Sequence, residues 1–455
     1  MLLFNTLQQR QTQLIQPQRV RQLAIEHGWC KRQGKISPFE FLYCPLGQAS
    51  ALNLTLNAQA STFSVAVSRQ AVDQRYNAQA VKYFEAAFQE SLATAFAWTT
   101  PSAMTQLIGQ HLRAIRLFDS THCSCSDALA QIFPGCGGGG AQAGLKVLLS
   151  YDYGAGQLHP LALLPANHSD QSLALLACAQ VGPQELGIFD KGFFKALALR
   201  TLSERGAYFL VPWHHGVSVR ELDAQGQPQG LLDVAAQLKA TTQMRVEWLA
   251  VDLGHTPESH LGPVRLVAFR LHEETANRRR AALREKYRTR GQQPSAQALE
   301  LAGWLILVTN APASVLPTAA LGYLYRVRWQ IELIFKQWKS VLRLDVLLSK
   351  NSYRVQCEVW SRLLMALVSF TWYQHANAAC FQLHRCEISF FKVAQQLQQH
   401  GQVLVRALFG QRERWDSECR RLWKNILQLA RKERQPSRPS TWENLCSNWL
   451  EASAA

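Results

Sequence analysis

Hydrophobic and polar positions follow different periods in three parts of the chain. From about Val20 to Thr99, apolar residues recur at helical spacing without strand alternation, which predicts several helices. From about residue 114 to 309, short apolar runs alternate with helical segments, and from Val355 onward the pattern is helical again. The middle part is typical of an α/β layer fold, with helical regions on both sides of it.

Two capping signals mark the helices within Ser61–Phe88. Ser68 is predicted to cap a helix that extends from Arg69 to Tyr76, and Asn77 to cap the next one, because short polar side chains accept hydrogen bonds from the first free amides of a helix. The polar side chains of the first helix suit the recognition helix of a helix-turn-helix. A plain helical bundle fits the same pattern equally well.

Short apolar runs bounded by turn residues predict the strands of the middle part. These runs lie at 114–118, 146–151, 157–164, 186–189, 208–212 and 304–308, with a helix predicted over 169–179. Before the last strand, residues from about 217 to 301 interrupt the alternation with two strands, 244–251 and 264–271, and a basic helix at 273–290. We interpret this segment as an insertion within one α/β domain.

The pattern as a whole predicts a domain order. We expect a helical N-terminal region at 1–105, a core in two parts at 106–216 and 302–350, the insertion at 217–301, and a C-terminal helical region at 351–455.

The positive charge of the chain indicates which class of partner it binds. The 455 residues carry a formal net charge of +16, and 47% of them are hydrophobic, which excludes a disordered chain. The cations are concentrated at 278–290 and 412–438, so we expect a polyanionic partner, with nucleic acid first. A basic surface that only maintains solubility is the alternative.

Cysteines, glycines and apolar runs exclude several other classes. The eleven cysteines form no CxxC pair, which favours free thiols in a reducing cytoplasm, and the group from His122 to Cys136 lacks the second ligand pair of a structural zinc site. The run Gly137–Gly140 lacks the Gly-Lys-Ser/Thr of a phosphate-binding loop. The N-terminus is not a signal peptide, and the apolar run 363–373 is too short to span a membrane.

Three carboxylates are candidate ligands for a metal ion. Two predicted strands each end in an aspartate, at Phe118-Asp119 and Phe189-Asp190, where a sheet edge is open to solvent and metal. Either aspartate alone is better explained as a turn former or helix cap. With a third carboxylate from a neighbouring helix they would form a hard-oxygen site for Mg²⁺ or Mn²⁺.

Glu332 is the candidate for that third carboxylate. If residues 325–339 form one helix, Arg328, Glu332 and Lys339 lie at about −60°, −20° and −40° from Tyr325, on one narrow stripe. The apolar positions, which fall at about 180° to 240°, form the opposite, core-facing stripe; they are Val327, Ile331, Ile334 and Trp338. A surface ladder of ion pairs is the alternative for the charged stripe.

The sequence resembles a known family at this point. Tyr325, Arg328, Glu332 and Lys339 match Y-(2)-R-(3)-E-(6)-K, the signature of the IS4-type DDE transposases, and the segments at Asp119 and Asp190 are similar to that family's two aspartate motifs. The resemblance covers roughly residues 20 to 380. It implies an α/β fold with an RNase H-like catalytic core that is interrupted by a β-rich insertion, with helical N- and C-terminal regions.

The resemblance also implies a mechanism. Asp119, Asp190 and Glu332 would bind two Mg²⁺ or Mn²⁺ ions for nicking at the element ends, a hairpin intermediate and strand transfer to a target. The resemblance implies DNA contacts for a further five residues: Tyr325, Arg328, Lys339, Trp329 and Trp304. Lys336, at about 20° from Tyr325, borders the charged stripe and is expected to add to phosphate binding. Both tryptophans would stack on a base, although core packing explains Trp304 equally well.

The expected partner is double-stranded DNA, as element terminal repeats and as target, bound by a homodimer in the bacterial cytoplasm at the nucleoid. Two alternatives stay open: an RNase H-like nuclease or resolvase without strand transfer, and a catalytically silent protein that only binds terminal repeats.

Overall fold

The computed structural model describes most of the chain: residues 2–14, 16–32, 34–47, 55–96, 112–137, 140–256, 259–384, 386, 388–409 and 412–432. Three predicted features lie wholly or partly outside these residues: the domain boundary near residue 105, the centre of the glycine run, and the helix break at 435–440.

The helices in chain order are α1 (Leu2–Leu14), α2 (Pro17–Glu26), α3 (Pro38–Gly47), α4 (Leu56–Ala60), α5 (Arg69–Asp73), α6 (Ala78–Phe96), α7 (Asp170–Ala179), α8 (Ala196–Glu204), α9 (Val234–Ala240), α10 (Glu273–Arg288), α11 (Ala296–Leu301), α12 (Thr318–Val327), α13 (Trp329–Ser340), α14 (Ser352–His384), α15 (Phe390–Phe409) and α16 (Arg412–Leu429). The strands are β1 (Ala114–Cys125), β2 (Gly144–Asp152), β3 (Gln157–Pro165), β4 (Glu185–Phe189), β5 (Tyr208–Pro212), β6 (Val219–Leu222), β7 (Pro228–Leu231), β8 (Arg245–Leu253), β9 (Leu261–Arg270), β10 (Trp304–Thr309) and β11 (Val346–Leu347).

One mixed sheet joins these strands in the order β3-β2-β1-β4-β5-β10-β9-β8-β6-β7. β1, β2 and β3 form an antiparallel meander, while β1, β4 and β5 are mutually parallel and are connected through α7 and α8. The short β11 pairs in parallel with the far end of β1. The predicted RNase H-like core is confirmed.

The insertion extends this sheet instead of forming a separate layer. Its two long strands, β8 and β9, pair with each other, and β9 pairs along its length with β10 of the core. The basic α10 follows β9 directly. The predicted β-rich insertion with a basic helix is therefore present, and it is hydrogen-bonded to the core through β10.

Two large groups of buried side chains cover opposite faces of the sheet. Ile115 and Leu117 of β1 face the first group, which also includes residues of α12, α13, α6 and α14. Phe118 of the same strand faces the second group, with residues of α7 and α8. Alternate residues of β1 therefore point to different layers, as strand geometry requires.

The N-terminal region is helical, as predicted, and both caps are present. Ser68 Oγ accepts a hydrogen bond from the amide of Ala71 at 3.2 Å, and Asn77 Oδ1 accepts one from Ala80 at 2.9 Å. The capped α5 is shorter than predicted, because it ends at Asp73. A DNA-reading role for this region stays a prediction.

The C-terminal region is dominated by the long α14, which packs along α6, α15 and α1. Within the described ranges, no helix combines the length and the apolar character needed to cross a bilayer.

Candidate active site

The two aspartates are brought together by strand register. β1 and β4 pair in parallel up to the partners Phe118 and Phe189, so Asp119 and Asp190 are the next residues on adjacent chains. Asp190 follows the end of β4 and caps a short 3-10 turn, where its Oδ2 accepts a hydrogen bond from the Gly192 amide at 3.3 Å.

The prediction that the first strand ends at Phe118 is wrong. β1 continues through Asp119 to Cys125, because β2 pairs with it along that whole stretch, including the pair Asp119 and Leu149. Asp119 thus lies at the end of the β1–β4 pairing but in the middle of its own strand. Its place on a continuous ladder fixes its backbone more firmly than a strand end would.

The prediction of one helix over residues 325–339 also needs correction. α12 ends at Val327 and α13 begins at Trp329, with Arg328 between them. At this junction the Arg328 amide donates to the Tyr325 carbonyl at 3.2 Å and the Ile331 amide to the Arg328 carbonyl at 3.1 Å. These i to i+3 bonds tighten the turn.

The predicted core-facing stripe is nevertheless confirmed. Its four members are at most 4% exposed: Val327, Ile331, Ile334 and Trp338. α13 packs against β1 on the layer that Asp119 faces. Glu332 lies outside this buried stripe, and its side chain is 30% exposed.

Arg328 joins the three carboxylates. Its Nη1 lies 3.4 Å from Asp119 Oδ2, and its Nη2 lies 3.8 Å from Asp190 Oδ1. The same Nη2 also donates a short hydrogen bond to Glu332 Oε1. Residues from β1, from the end of β4 and from α13 thus converge on one guanidinium.

The mutual proximity of the acids affects their ionisation. The pKa of Asp119 is raised to about 6, mainly by burial and to a smaller extent by the negative charges of Asp190 and Glu332. The backbone amide of Ser120 and the charge of Arg328 act in the opposite direction. The site therefore concentrates negative charge that one guanidinium only partly offsets.

The donor set fits a divalent cation. Carboxylate oxygens are the ligands that Mg²⁺ and Mn²⁺ prefer, and three carboxylates of like charge surround one cationic group here. In the part of the chain that is described, no three acidic, histidine or cysteine side chains are close enough to hold a metal ion as they stand. Arg328, which contacts all three acids, lies between them.

The other signature residues border this cluster. The Tyr325 ring lies 5.7 Å from the Arg328 guanidinium carbon, and burial raises the pKa of the phenol to about 12. Lys339 lies two turns beyond Glu332 on α13, near β1. The pKa of His122 on that strand is lowered mainly by burial, then by the charge of Lys146 and to a smaller extent by that of Lys339. Lys336 is exposed on the same helix.

Comparisons with known proteins give the family. A profile described as the transposase DDE domain matches residues 110–368, more than half of the chain. The chain belongs to the transposase DDE domain family. The predicted DDE transposase, an enzyme that cleaves DNA and transfers strands, is thereby confirmed.

Relatives agree with this assignment. The transposase for insertion sequence element IS231B of Bacillus thuringiensis subsp. berliner is 25% identical, over 86% of this chain and 84% of its own length. The transposase for IS231D of B. thuringiensis subsp. finitimus is 27% identical, over 86% of this chain and 84% of its own length. The putative transposase InsL for IS186A of Escherichia coli K12 is 28% identical, over 50% of this chain and 61% of its own length.

Among solved structures, the piggyBac transposase synaptic complex with hairpin DNA aligns with a TM-score of 0.43 and 11% identity, over 92% of this chain and 83% of that one. This similarity is too low to transfer residue roles.

The two tryptophans of this transposase lie in different environments. Trp329 is 57% exposed and lines a groove of about 850 Å³ with Tyr325 and Arg328. Trp304 on β10 is 3% exposed, its Nε1 donates to Glu300 Oε1 at 3.3 Å, and Arg270 covers its ring. The structure thus favours the core-packing alternative for Trp304.

A polar network that the sequence does not indicate lies on the other face of the transposase sheet. Lys146 Nζ and Ser120 Oγ both donate to Asp170 Oδ1, at 3.0 and 2.6 Å. Gly192 lies against Asp170, since a Cβ there would be 3.1 Å from Oδ2. Asp170 thereby connects β1 and β2 to the turn that Asp190 caps. Loop carboxylates are too common for spacing alone to reveal this contact.

Proposed function

We propose that Asp119, Asp190 and Glu332 are the catalytic acids of this transposase and bind two Mg²⁺ or Mn²⁺ ions. The observation that carries the proposal is the convergence of these three carboxylates, from three separate elements, on the guanidinium of Arg328. When bound, the ions would activate the attacking oxygen and stabilise the leaving oxygen at a DNA phosphodiester.

The remaining signature residues would position the DNA. Arg328 offers a planar set of donors that suits a phosphate, and Tyr325 supplies a neighbouring hydroxyl. Lys339 would hold a second phosphate farther along α13. The exposed Trp329 would stack on a base at the end of the element, and Lys336 would add positive charge beside it.

The proposed substrates are the terminal repeats of an insertion sequence and a target duplex. The proposed reaction order is nicking, formation of a hairpin, hairpin opening and joining to target DNA. A homodimer would hold the two ends together, and the enzyme would act in the cytoplasm at the nucleoid. The net charge of +16 supports attraction to DNA over long distances.

The test separates metal binding, DNA binding and chemistry. Variants Asp119→Asn, Asp190→Asn and Glu332→Gln are compared with the native chain on a duplex that carries the element end. We expect each to lose cleavage with Mg²⁺ and to bind Mn²⁺ more weakly in calorimetry, while its affinity for the end is retained. The exposed Asp127→Asn is the matched control.

Cleavage that survives in all three variants would rule out the proposed acids. A pre-cleaved end with a free 3′-hydroxyl tests strand transfer separately. Joining to a target plasmid is expected. Nicking without any joining would show that the enzyme hydrolyses DNA but does not transfer strands. The hairpin is expected as a slowly migrating product on denaturing gels.

A further inference from the structure

A buried arginine of the insertion faces the helix that precedes the active site. Arg265 on β9 is 5% exposed, and the alternation of side chains along the strand places it on the same face as Val267 and Phe269. Leu321 and Leu324 of α12 cover that face of the sheet. A charge buried in such a position costs stability unless its hydrogen-bonding groups are satisfied.

All five N–H groups of Arg265 have an acceptor. Its Nε and Nη2 both donate to Glu247 Oε1 on the neighbouring β8, at 3.0 and 2.7 Å. Its Nη1 donates to the carbonyls of Ala311 and Leu316, both at 2.9 Å, and Nη2 also donates to Thr318 Oγ1 at 2.8 Å. The Thr318 hydroxyl in turn donates to Glu247 Oε2 at 2.9 Å. A guanidinium has five N–H donors, so this one has none left for a DNA phosphate.

These bonds connect the insertion to the start of α12. Ala311 and Leu316 lie in the connection between β10 and α12, and Thr318 is the first residue of the helix. Pro317, which precedes it, has no side-chain oxygen that could cap the helix, and the first turn contains no acid. Glu247 therefore supplies from β8 the carboxylate that stabilises a helix N-terminus.

The network is not needed to attach the insertion to the core. β9 already pairs with β10 from Arg270, opposite Trp304, to Arg265, opposite Thr309. That ladder holds the insertion in place through main-chain hydrogen bonds. The contribution specific to the Arg265 side chain is therefore a fixed position for the start of α12.

α12 connects this fixed point to the active site. The helix is continuous from Thr318 to Val327, and Arg328 follows it directly. Its middle also lies against β9, because a Cβ at Gly322 would be 3.8 Å from the Phe269 ring. A displacement at the start of α12 would therefore move the guanidinium that contacts all three acids.

We propose that Arg265 is a positioning residue for DNA cleavage. Together with Glu247 and Thr318 it holds α12 in the place from which Arg328 meets the three acids. Its own donors are all used within the protein, so it acts on the reaction through Arg328 and not by contact with DNA. This rests on the proposed role of Arg328 at the acids and deepens it.

The first test separates the cleavage rate from DNA affinity. Arg265→Met and the isosteric Thr318→Val are compared with the native chain on a duplex that carries the element end, at a temperature where all are folded. A misplacement of about 1 Å can lower a rate by about 10²-fold, so we expect a loss of that order for Arg265→Met and a smaller one for Thr318→Val. Affinity for the end should be largely retained, and Thr318→Ser, which keeps the hydroxyl, should cleave at close to the native rate.

Arg205→Met is the matched control. Arg205 also donates to three main-chain carbonyls, those of Cys178, Ala179 and Val181, beyond the end of α7. Its loss should lower the melting temperature but leave the cleavage rate of the folded protein close to native. An equal loss of rate in this variant would reveal a general effect of stability and would overturn the positioning role.

A double-variant cycle tests whether Arg265 acts through Arg328. If it does, Arg265→Met should have little further effect on the cleavage rate in an Arg328→Ala background, because the group that it positions is absent. A double variant whose loss equals the product of the two single losses would overturn the proposal.

Hydrogen exchange tests the position of α12 without DNA or metal. The main-chain amides of residues 318–331 should exchange faster in Arg265→Met than in the native chain and in Arg205→Met, while those of β1 and β4 keep native rates. Unchanged exchange in α12 would overturn the proposal even if the acid variants lose cleavage. Arg328→Ala and the acid variants are measured alone as well, so failure of the proposed site is distinguishable from failure of the role of Arg265.

Discussion

Phe118 and Phe189 are register partners on the parallel strands β1 and β4, and their rings stack with centroids 4.8 Å apart and planes inclined by 11°. Both rings are fully buried on the face opposite to Asp119. The stack therefore holds the two strands together one residue before Asp119 and Asp190. It aligns Asp119 with Asp190 from the far side of the sheet.

Truncation of this stack should affect both stability and chemistry. Phe118→Ala or Phe189→Ala removes a buried ring and should lower the free energy of unfolding by about 3–5 kcal/mol, as measured in urea. Phe189→Leu, which fills more of the space, should lose less. At a temperature where all variants are folded, the cleavage rate should fall more than the affinity for DNA. A loss of affinity alone would contradict this positioning role.

Removal of the Arg328 guanidinium should make the thermal stability of the protein depend more strongly on divalent metal. Arg328→Ala leaves three neighbouring carboxylates without their cationic partner, so their mutual repulsion should lower the melting temperature in EDTA. Added Mg²⁺ or Mn²⁺ should then raise the melting temperature more in the variant than in the native chain. Cleavage should decrease by about 10²- to 10³-fold through loss of one phosphate donor. Equal metal-induced shifts in both proteins would argue against binding at these acids.

The pair of the buried Lys146 and the partly exposed Asp170 gives a separate prediction. Lys146→Met leaves the carboxylate with only its Ser120 partner from this network and should cost about 1–3 kcal/mol of unfolding free energy. Lys146→Met/Asp170→Asn removes the uncompensated charge and should recover part of that loss. Urea unfolding of the single and double variants measures the coupling. Additive losses would show that the pair does not act as a unit.

His159 should contribute to loss of stability in acid. Burial and the charge of Arg116 lower its pKa to about 4, against an ordinary value of 6.5, while Glu185 acts in the opposite direction. Because the folded state disfavours protonation, stability is lost as the pH falls from 6.5 towards 4. His159→Gln cannot take up this proton, so its melting temperature should decrease less between pH 7 and pH 5. Parallel decreases in the two proteins would contradict this assignment.

Substitution of Trp304 and of Trp329 should distinguish a residue that packs in the core from one that contacts DNA. Trp304→Ala should lower the unfolding free energy by about 3–5 kcal/mol, because the ring is buried in the second core. Trp329→Ala should leave stability within about 0.5 kcal/mol, since its side chain is largely exposed. If Trp329 stacks on a base, that variant should bind the element end more weakly by about 1–3 kcal/mol. Unchanged affinity for the end would remove the stacking role.

Local patterns in the sequence were sufficient for most of the fold. Short apolar runs predict eight of the eleven described strands and miss β6, β7 and β11. Polar caps at Ser68 and Asn77 mark helix starts correctly. The end of β1 is not evident from the sequence, because the polar residues after Phe118 resemble a turn, while their extended conformation comes from pairing with β2. Long-range pairing of this kind leaves no local signal.

Local patterns in the sequence also predict part of the candidate site. The angular stripe grouped Glu332 with Arg328 although the chain tightens at Arg328, since a local 3-10 turn changes the helix phase only slightly. The burial of Trp304 and the position of Arg279 in the groove beside Trp329 depend on how the insertion packs. Spacing along the chain does not contain that information.

Continuity of the sheet from β5 through β10 to β9 and β8 has a mechanical consequence. A segment attached by such a ladder acts as a stiff arm, because swinging it aside would break several main-chain hydrogen bonds at about 1–3 kcal/mol for each buried group left unpaired. The arm and the acids therefore keep a fixed spacing. A DNA duplex bound between them would therefore have to adapt its own shape to that spacing.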